Sequence, residues 1–199
     1  MGYADPVSST QAPEPARIFR ARDIDRLGLT RGQLRAMLAR GEAERVGRGL
    51  YRRETQPTEL DTVALVCARV PGAVVCLLSA LALHGIGTQL PDEVWIAIDR
   101  KARKPHVPDL PIRIVRFSKP LLRYGVEERN VQGVTVRVTS VARTVVDCFR
   151  YRNKIGLDVA LEALRDSLRR RRVSVDAILR AADVCRMTRM IRPYLEATL

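Results

Sequence analysis

Apolar residues at helical spacing predict a short helix near the N-terminus of the chain. Leu34, Met37 and Leu38 recur at i, i+3 and i+4, so they share one inward face of that helix. Thr30 is suited to cap its first turn, because a threonine hydroxyl accepts hydrogen bonds from the unpaired N–H groups there. Gly41 is suited to end it, since glycine readily adopts the left-handed backbone that commonly follows a helix.

The residues on either side of this helix predict a strand, a second short helix and a β-hairpin. The short helix covers residues 23–27 and is broken by a Gly-Leu pair. Two strand-like runs, 44–46 and 50–52, flank a Gly-Arg-Gly turn that carries Arg48 near its tip. This order of elements is typical of a small winged helix-turn-helix, which we place at residues 17–55.

The remainder of the chain predicts a mixed α/β domain at residues 56–199, entered through a linker at 54–57. Its apolar runs predict strands at residues 74–77, 94–98, 112–117, 126–131 and 134–138. Helical spacing predicts helices at residues 60–70, 79–84 and 140–150, followed by three more near the C-terminus. The predicted fold class is therefore α+β, with an N-terminal winged helix-turn-helix, then a mixed α/β domain with a small sheet and C-terminal helices.

Three local patterns add detail to this division. Residues 1–16 are rich in Pro, Ser and Thr without apolar periodicity, so we expect a disordered arm. In the helix at 140–150, Arg143 and Asp147 are at i and i+4, which predicts an ion pair. Four leucines at helical spacing predict the buried face of the first C-terminal helix: Leu157, Leu161, Leu164 and Leu168.

The chain is strongly basic, with 35 Lys and Arg against 22 Asp and Glu and a net charge of +13. A polyanion is the default partner of such a surface. The N-terminus lacks a basic stretch followed by an apolar core, and the longest apolar run, 73–83, is too short to span a membrane. We therefore expect a cytoplasmic protein. The four cysteines form no CxxC pair and lie among apolar residues, which favours reduced, buried thiols.

A strip of small residues follows the outward side of the helix after Thr30, bordered by arginine and glutamine. Such a strip lets a helix enter the major groove deeply while Arg and Gln reach base edges. Arginines on the hairpin are suited to phosphates or the minor groove. The strip consists of Gly32, Ala36 and Ala39. The predicted DNA-binding residues are Thr30 at the helix start, Arg31, Gln33 and Arg35 as base readers, and Arg45, Arg48, Arg52 and Arg53 on the hairpin.

A solvated surface whose arginines serve solubility is the competing interpretation. Residues 30–53 hold seven Arg against two acidic residues, and this excess beside a hairpin favours double-stranded DNA. The operator is expected to be an inverted repeat, bound by a dimer or by two monomers on neighbouring half-sites. Four arginines near the C-terminus leave DNA contact, RNA or toxin contact, and solvation open as alternatives: Arg180, Arg186, Arg189 and Arg192.

Several segments of the chain resemble a known family. The runs "GLTRGQL" and "RGEAERVGRGLYR", and later "VVCLLSALALHGI" and "GVTVRVTSVARTVVDCFR", are similar to the AbiEi antitoxins of type IV, abortive-infection toxin–antitoxin pairs. The resemblance extends from Phe19 to the C-terminus. It implies a transcriptional regulator that represses its own operon and opposes a nucleotidyltransferase toxin in phage defence, with or without direct contact. It also implies that the larger domain carries the antitoxin activity.

An enzyme, such as a nuclease delivered by its winged helix, is the alternative function. Asp99 and Lys101 would supply part of a nuclease motif, but no second metal-binding carboxylate accompanies them. Ser79 and His84 do not share a helix face, and an N-cap and a last-turn histidine explain them. We predict no catalytic residue, metal or cofactor. A second alternative is a non-specific RNA-binding or scaffold protein. The predicted hairpin argues against this alternative.

Overall fold

The computed structural model describes residues 16–53 and 58–198 of the chain. The chain divides into two compact units, with the boundary between Thr55 and Gln56. Apart from residue 16, the predicted N-terminal arm lies outside the described residues, as does the predicted linker at 54–57. Helices and two separate sheets make up the described residues, which confirms the mixed α+β class.

The N-terminal unit contains a strand, a helix and a hairpin in the predicted order. Strand β1 (Ile18–Arg20) pairs antiparallel with β3 (Leu50–Arg53), which pairs antiparallel with β2 (Ala43–Gly47). Helix α1 (Arg31–Ala39) lies between β1 and β2 in the chain. Because β1 joins the predicted ribbon, the sheet has three strands in the order β1-β3-β2.

The short helix predicted at residues 23–27 is present in 3₁₀ form and ends at Gly28 as predicted. It consists of two 3₁₀ helices, Ala21–Asp23 and Asp25–Leu27. Gly28 follows at φ +67°, and its N–H donates to the carbonyl of Asp25 at 3.1 Å. The segment closes with the tighter i→i+3 bonds that are frequent in short helical connections.

Helix α1 begins with a reciprocal pair of capping hydrogen bonds. The N–H of Gln33 donates to Thr30 Oγ1 at 3.1 Å, and the N–H of Thr30 donates to Gln33 Oε1 at 2.7 Å. This capping box confirms Thr30 as the N-cap. Gly41 follows the helix at φ +73°, as predicted. On the inward side Leu34 and Met37 are buried, which confirms the predicted apolar face.

A small apolar cluster holds the N-terminal unit together. Its buried members are Phe19, Ile24 and Leu34, which come from β1, the 3₁₀ segment and α1. The rings of Phe19 and Tyr51 stack with centroids 5.9 Å apart, joining β1 to β3. Partly buried residues that pack against the cluster are Leu27, Leu29, Leu38 and Tyr51.

A five-stranded sheet forms the centre of the C-terminal unit. Its strands are β4 (Val74–Val75), β5 (Val94–Asp99), β6 (Ile112–Phe117), β7 (Val126–Val131) and β8 (Val134–Thr139). The order is β6-β5-β4-β8-β7, so β6 and β7 are the edges. The pairs β5–β6 and β4–β8 are parallel, whereas β4–β5 and β7–β8 are antiparallel. Each strand predicted for this region is present.

Seven helices surround this sheet within the described part of the unit. They are α2 (Glu59–Arg69), α3 (Leu77–His84), α4 (Val141–Arg150), α5 (Arg152–Ile155), α6 (Leu157–Arg169), α7 (Val175–Val184) and α8 (Thr188–Glu196). Trp95, Ala97 and Val115 join one cluster with α3, α4 and α6–α8. Ile96 and Ile98, which alternate with them along β5, are also buried, so both faces of that strand are covered.

The predicted buried face of α6 is wrong at its N-terminal end. Leu157 is 38% exposed, whereas Ala160 and Ala163 are fully buried beside Leu164. Helix α6 packs against α4. The buried face of α6 therefore includes Ala160 and Ala163 together with Leu164, and these residues belong to the same apolar cluster as residues of α4.

The prediction that Ser79 caps a helix is also wrong. Helix α3 begins at Leu77, and Cys76 occupies the N-cap position without a side-chain capping bond. Ser79 lies buried inside the helix, where its Oγ accepts the N–H of Trp95 at 2.9 Å. The same hydroxyl donates to the carbonyl of Glu93 at 3.4 Å. Ser79 therefore satisfies backbone groups at the start of β5.

Candidate nucleic-acid interface

The outward face of α1 carries two exposed arginines. Arg31 and Arg35 lie one helical turn apart, and among the described residues neither pairs with a carboxylate. Gly32 and Ala39 beside them are exposed and Ala36 is half-buried, so the small-residue strip faces outward. The face is open to a partner, and its unpaired guanidinium groups present donors in the geometry that suits guanine or phosphate.

Gln33 has a structural role that the sequence reasoning missed. Its Oε1 accepts the Thr30 N–H in the capping box, which leaves the side-chain amide N–H groups as donors. The signal was present, because Thr followed three residues later by Gln is a capping-box pattern. That Gln33 reads a base stays a prediction, and while the box is closed only its amide N–H groups are free to do so.

The hairpin β2–β3 places Arg48 at its tip. Gly49 follows at φ +63°, a conformation that glycine adopts without strain, and Arg48 is exposed. The register shifts between Arg45 and Gly47, which marks an irregularity just before the turn. Arg45 Nε donates to the carbonyl of Gly47 at 3.2 Å, so this exposed side chain lies along the same end of the hairpin.

The two arginines at the end of β3 are less available. Arg52 forms an ion pair with Glu44 across the hairpin, with Arg52 Nε donating to Glu44 Oε1 at 2.6 Å. Arg53 is half-buried, and its backbone N–H donates to the carbonyl of Arg17. Of the four hairpin arginines predicted to hold phosphates, Arg45 and Arg48 are thus the exposed ones.

Arg40, at the end of α1, is also paired. Its Nε donates to Glu42 Oε1 at 2.7 Å, and this hydrogen bond lowers the pKa of the Glu42 carboxyl. Both side chains are exposed, so the pair contributes little to stability. Its effect is to neutralise one border of the α1 face, so the free positive charge there comes from Arg31 and Arg35.

Comparison with known families adds a sequence match to this geometry. Residues 16–53 match the family of transcriptional regulators described as AbiEi antitoxin. The match confirms the resemblance for the N-terminal unit, and it covers the capped helix and the hairpin. The resemblance of later segments stays a prediction, because the match ends at Arg53. No curated protein matches the chain.

The AbiEi family is described as one of transcriptional regulators. The contacts of Ser79 and His84 do not support the alternative that these two residues form part of an enzyme active site. His84 is buried, with Nε2 at 2.6 Å from the carbonyl of Thr139 and Nδ1 at 2.8 Å from Arg129 Nη2. Arg129 can only donate, so Nδ1 accepts and Nε2–H donates to Thr139. Burial lowers the pKa of His84, which favours the neutral imidazole. Both ring nitrogens are engaged in these two hydrogen bonds.

Neither the acidic residues nor the cysteines form a recognisable metal site in the described residues. Asp99 Oδ1 accepts the N–H of Lys101 at 2.8 Å, which is a turn-forming bond. No group of three or more His, Cys, Asp or Glu side chains is placed there to hold a metal ion. Cys76, Cys148 and Cys185 are buried free thiols, and burial raises the pKa of the partly exposed Cys67 to about 12. No helix among the described residues is long and apolar enough to cross a membrane.

Proposed function

We propose that this protein is a sequence-specific DNA-binding transcriptional regulator whose residues 17–55 act as a winged helix-turn-helix. Helix α1 would enter the major groove, with the 3₁₀ segment in place of a first helix and β2–β3 as the wing. One observation carries this proposal: the exposed Arg31–Arg35 face of α1 and the exposed Arg48 tip belong to one compact unit. The AbiEi match over the same residues supports it.

The proposed role of each side chain follows from its exposure and from the hydrogen-bond donors that no other group engages. Arg31 and Arg35 read base edges, with Gln33 as an additional donor, and Thr30 contributes by holding the start of α1. Arg48 and Arg45 hold phosphates or the minor groove. Arg52 and Arg53 play a smaller part, because Glu44 already pairs with Arg52 and Arg53 is half-buried.

The wider role that we propose is that of an autorepressing antitoxin in the cytoplasm. The AbiEi resemblance is its support: such a protein binds inverted repeats in its own operator and opposes a nucleotidyltransferase toxin. Residues 56–199 would carry the antitoxin activity. Co-expression with a nucleotidyltransferase encoded beside its gene tests this role, with rescue of growth expected from the chain and absent if the two genes are unrelated in function.

The DNA-binding proposal is tested by comparing Arg35→Ala with Arg48→Ala on the DNA upstream of the gene and on a random duplex. Arg35→Ala should weaken binding to the upstream DNA by about 1–3 kcal/mol and relax base preference, because a bidentate base contact is lost. Arg48→Ala should weaken binding to both duplexes and reduce the salt dependence. Binding is measured by fluorescence anisotropy over a salt series.

Arg180→Ala is the matched control, since Arg180 is an exposed arginine of α7 outside the proposed site. It should leave base preference unchanged. Identical behaviour of Arg35→Ala and Arg48→Ala on both duplexes would show that the assigned roles are wrong. Unchanged binding in both variants would reject the winged-helix interface itself.

A further inference from the structure

A concavity of about 500 Å³ lies in the C-terminal unit, lined by the start of α2, the end of α3 and the loop that leads into β5. We call it the α2–β5 concavity. Buried apolar residues form its inner wall: Val63 of α2, Ile86 after α3 and Val94 at the start of β5. Cavities of roughly 300–1,000 Å³ with mostly apolar walls are typical of sites that bind small molecules.

Two exposed leucines lie at the mouth of this concavity. Leu60 and Leu90 are 44% and 71% exposed, and both line it. Among the described residues, the other large apolar side chains with comparable exposure are Leu157 and Val184. Half of these exposed apolar side chains therefore belong to one concave surface. Exposed apolar side chains that gather in one place indicate a binding site, whereas singly scattered ones are normal.

The loop that carries Leu90 is held at both ends by other elements. Near its start, the Gly87 N–H donates to Asp166 Oδ2 of α6 at 3.1 Å. Near its end, the Glu93 carbonyl accepts from the Ser79 hydroxyl of α3. The wall of the concavity is therefore formed in advance of binding, which lowers the entropy that is lost when a ligand binds.

The unpaired charge at the mouth is negative, although the chain as a whole has a net charge of +13. Glu59 and Asp92 line the concavity, are exposed, and form no ion pair within the described residues. The other charged residues of the lining are already paired. Glu93 pairs with Arg113 at 2.7 Å, and Arg170 pairs with a carboxylate of α6 at 2.8 Å. Two free carboxylates beside apolar walls attract a cation and repel phosphate groups.

We propose that the α2–β5 concavity binds an organic cation, a small molecule with a protonated amine and an apolar body. The apolar body packs against the buried inner wall and is covered by Leu60 and Leu90. The ammonium group contacts the free carboxylates of the mouth. A small molecule fits better than a protein segment, because stable protein interfaces bury about 800 Å² on each partner, which is more than a concavity of this volume offers.

This inference goes beyond DNA binding and does not depend on it. The residues that line the concavity all lie between positions 59 and 170, so none of them belongs to α1 or to the β2–β3 hairpin. A failure of the winged-helix proposal would leave the cation site untouched, and the reverse also holds.

Octylamine, octanol and octanoate test the proposal, because they share one hydrocarbon chain and differ in charge. Octylamine is protonated at neutral pH, as a lysine side chain is. Binding to the full chain is followed by the nuclear magnetic resonance signals of its backbone amides. The amides of Gly87 and Leu90 should shift, and octylamine should bind about fivefold more tightly than octanol. Octanoate should bind more weakly than octanol.

Two variants separate the apolar contacts from the carboxylates. L60S/L90S should weaken the binding of octylamine and octanol alike, by about tenfold or more, because apolar contact is lost. E59Q/D92N should leave octanol binding unchanged and remove the preference for octylamine. All four side chains are exposed, so we expect both variants to fold, and circular dichroism checks this.

Matched controls change the same residue types outside the concavity. L157S replaces another exposed leucine. E128Q/D176N neutralises two exposed carboxylates, and Asp176 lies in the first turn of α7 as Glu59 lies in the first turn of α2. Both controls should bind the three ligands as the wild type does.

Four outcomes would overturn the proposal. Equal binding of the three ligands would show that the site does not select a cation. Unshifted Gly87 and Leu90 amides with octylamine would reject the site itself. Equal losses in L60S/L90S and L157S would show non-specific contact with surface leucines. A Lys-Leu-Leu-Lys peptide that binds more than about tenfold tighter than octylamine would assign the concavity to a protein segment.

Discussion

Arg143 and Asp147 show how much the environment of two residues changes the meaning of a sequence pattern. The i, i+4 spacing predicts an ion pair of the kind that contributes a few tenths of a kcal/mol on an exposed helix. The structure confirms the pair, with Arg143 Nε 2.8 Å from Asp147 Oδ2, but both side chains are fully buried. Arg143 also donates to the carbonyls of Leu121 and Tyr124 and lies 5.0 Å from the ring centroid of Phe117.

We expect Asp147→Ala to lower the free energy of unfolding by about 3–5 kcal/mol, because it leaves a buried guanidinium without its counter-charge. The double variant R143M/D147L should cost less than Asp147→Ala alone, since it removes both charges. Urea denaturation measures both values. Glu93→Ala, which breaks an exposed pair, is the control and should cost no more than about 1 kcal/mol. A double variant worse than the single one would contradict the argument.

His84 predicts a pH dependence of stability. Burial is the main cause that lowers the pKa of His84 in the folded protein, and the charges of Arg129 and Arg172 lower it further. The hydrogen bond to the Thr139 carbonyl and the charge of Glu127 raise the pKa, but they do not cancel the effect of burial. The unfolded chain therefore takes up a proton first as pH falls. The stabilisation is complete above an unfolded pKa of about 6.5 and is lost as pH falls through the folded value. Between pH 7.5 and 5.5 the wild type should lose more unfolding free energy than His84→Gln, as measured in urea. Equal losses would show that His84 does not titrate this way.

At the scale of elements, the N-terminus of α1 is capped by side-chain hydrogen bonds, whereas the N-termini of the two 3₁₀ helices before it are not. Two capping bonds join Thr30 to Gln33, whereas the two 3₁₀ helices before Gly28 have no side-chain cap. Capping supplies partners for N–H groups that a short helix cannot pair internally. The capping box therefore stabilises the first turn of the nine-residue helix Arg31–Ala39.

Thr30→Ala should destabilise α1 by about 1 kcal/mol, because the first turn loses an acceptor for its N–H groups. Hydrogen exchange of the first-turn amides, Gln33 among them, should speed up accordingly. Thr30→Ser is the control that keeps the hydroxyl and should exchange like the wild type. If the proposed interface is right, Thr30→Ala also weakens DNA binding while Thr30→Ser does not. Equal exchange in both variants would show that the cap contributes nothing.

The two incorrect predictions in the C-terminal unit share a cause at this scale. Ser79 fits an N-cap by residue type, and Leu157 fits a buried position by spacing. Contacts with distant elements decide both positions: the start of β5 engages Ser79, and the buried residues of α6 that join the cluster with α4 include Ala160 and Ala163. Propensity and periodicity describe a segment alone, so they fail where a partner far along the chain selects the face or the boundary.

At the scale of the whole molecule, the chain carries an apolar cluster in each of its two units. The larger cluster draws on five of the helices and on the sheet, all from residues after 58. We expect a fragment of residues 56–199 to fold alone. Its circular dichroism spectrum should show helix and strand, and it should unfold on heating in one cooperative transition. A fragment that is unfolded would contradict this expectation.

The sequence by itself determined the α+β class, the strands and the capped helix of the N-terminal unit. These depend on interactions between residues close in the chain: apolar periodicity, glycine at left-handed positions and a hydroxyl three residues from its donor. It also supplied the cations of the N-terminal unit and of residues 100–119, because charge is a property of composition. The family match over residues 16–53 draws on the same local information.

Only the tertiary structure decided which of those charges remain available. Glu44 lies opposite Arg52 through strand pairing, and Asp109 meets Arg69 from a loop forty positions along the chain. Arg116 organises the turn at 99–102 from the neighbouring strand, and the Arg143–Asp147 pair is enclosed by residues of several elements. Such pairings depend on the approach of distant segments, which follows from how the apolar faces pack and is not encoded in the spacing of the charged residues themselves.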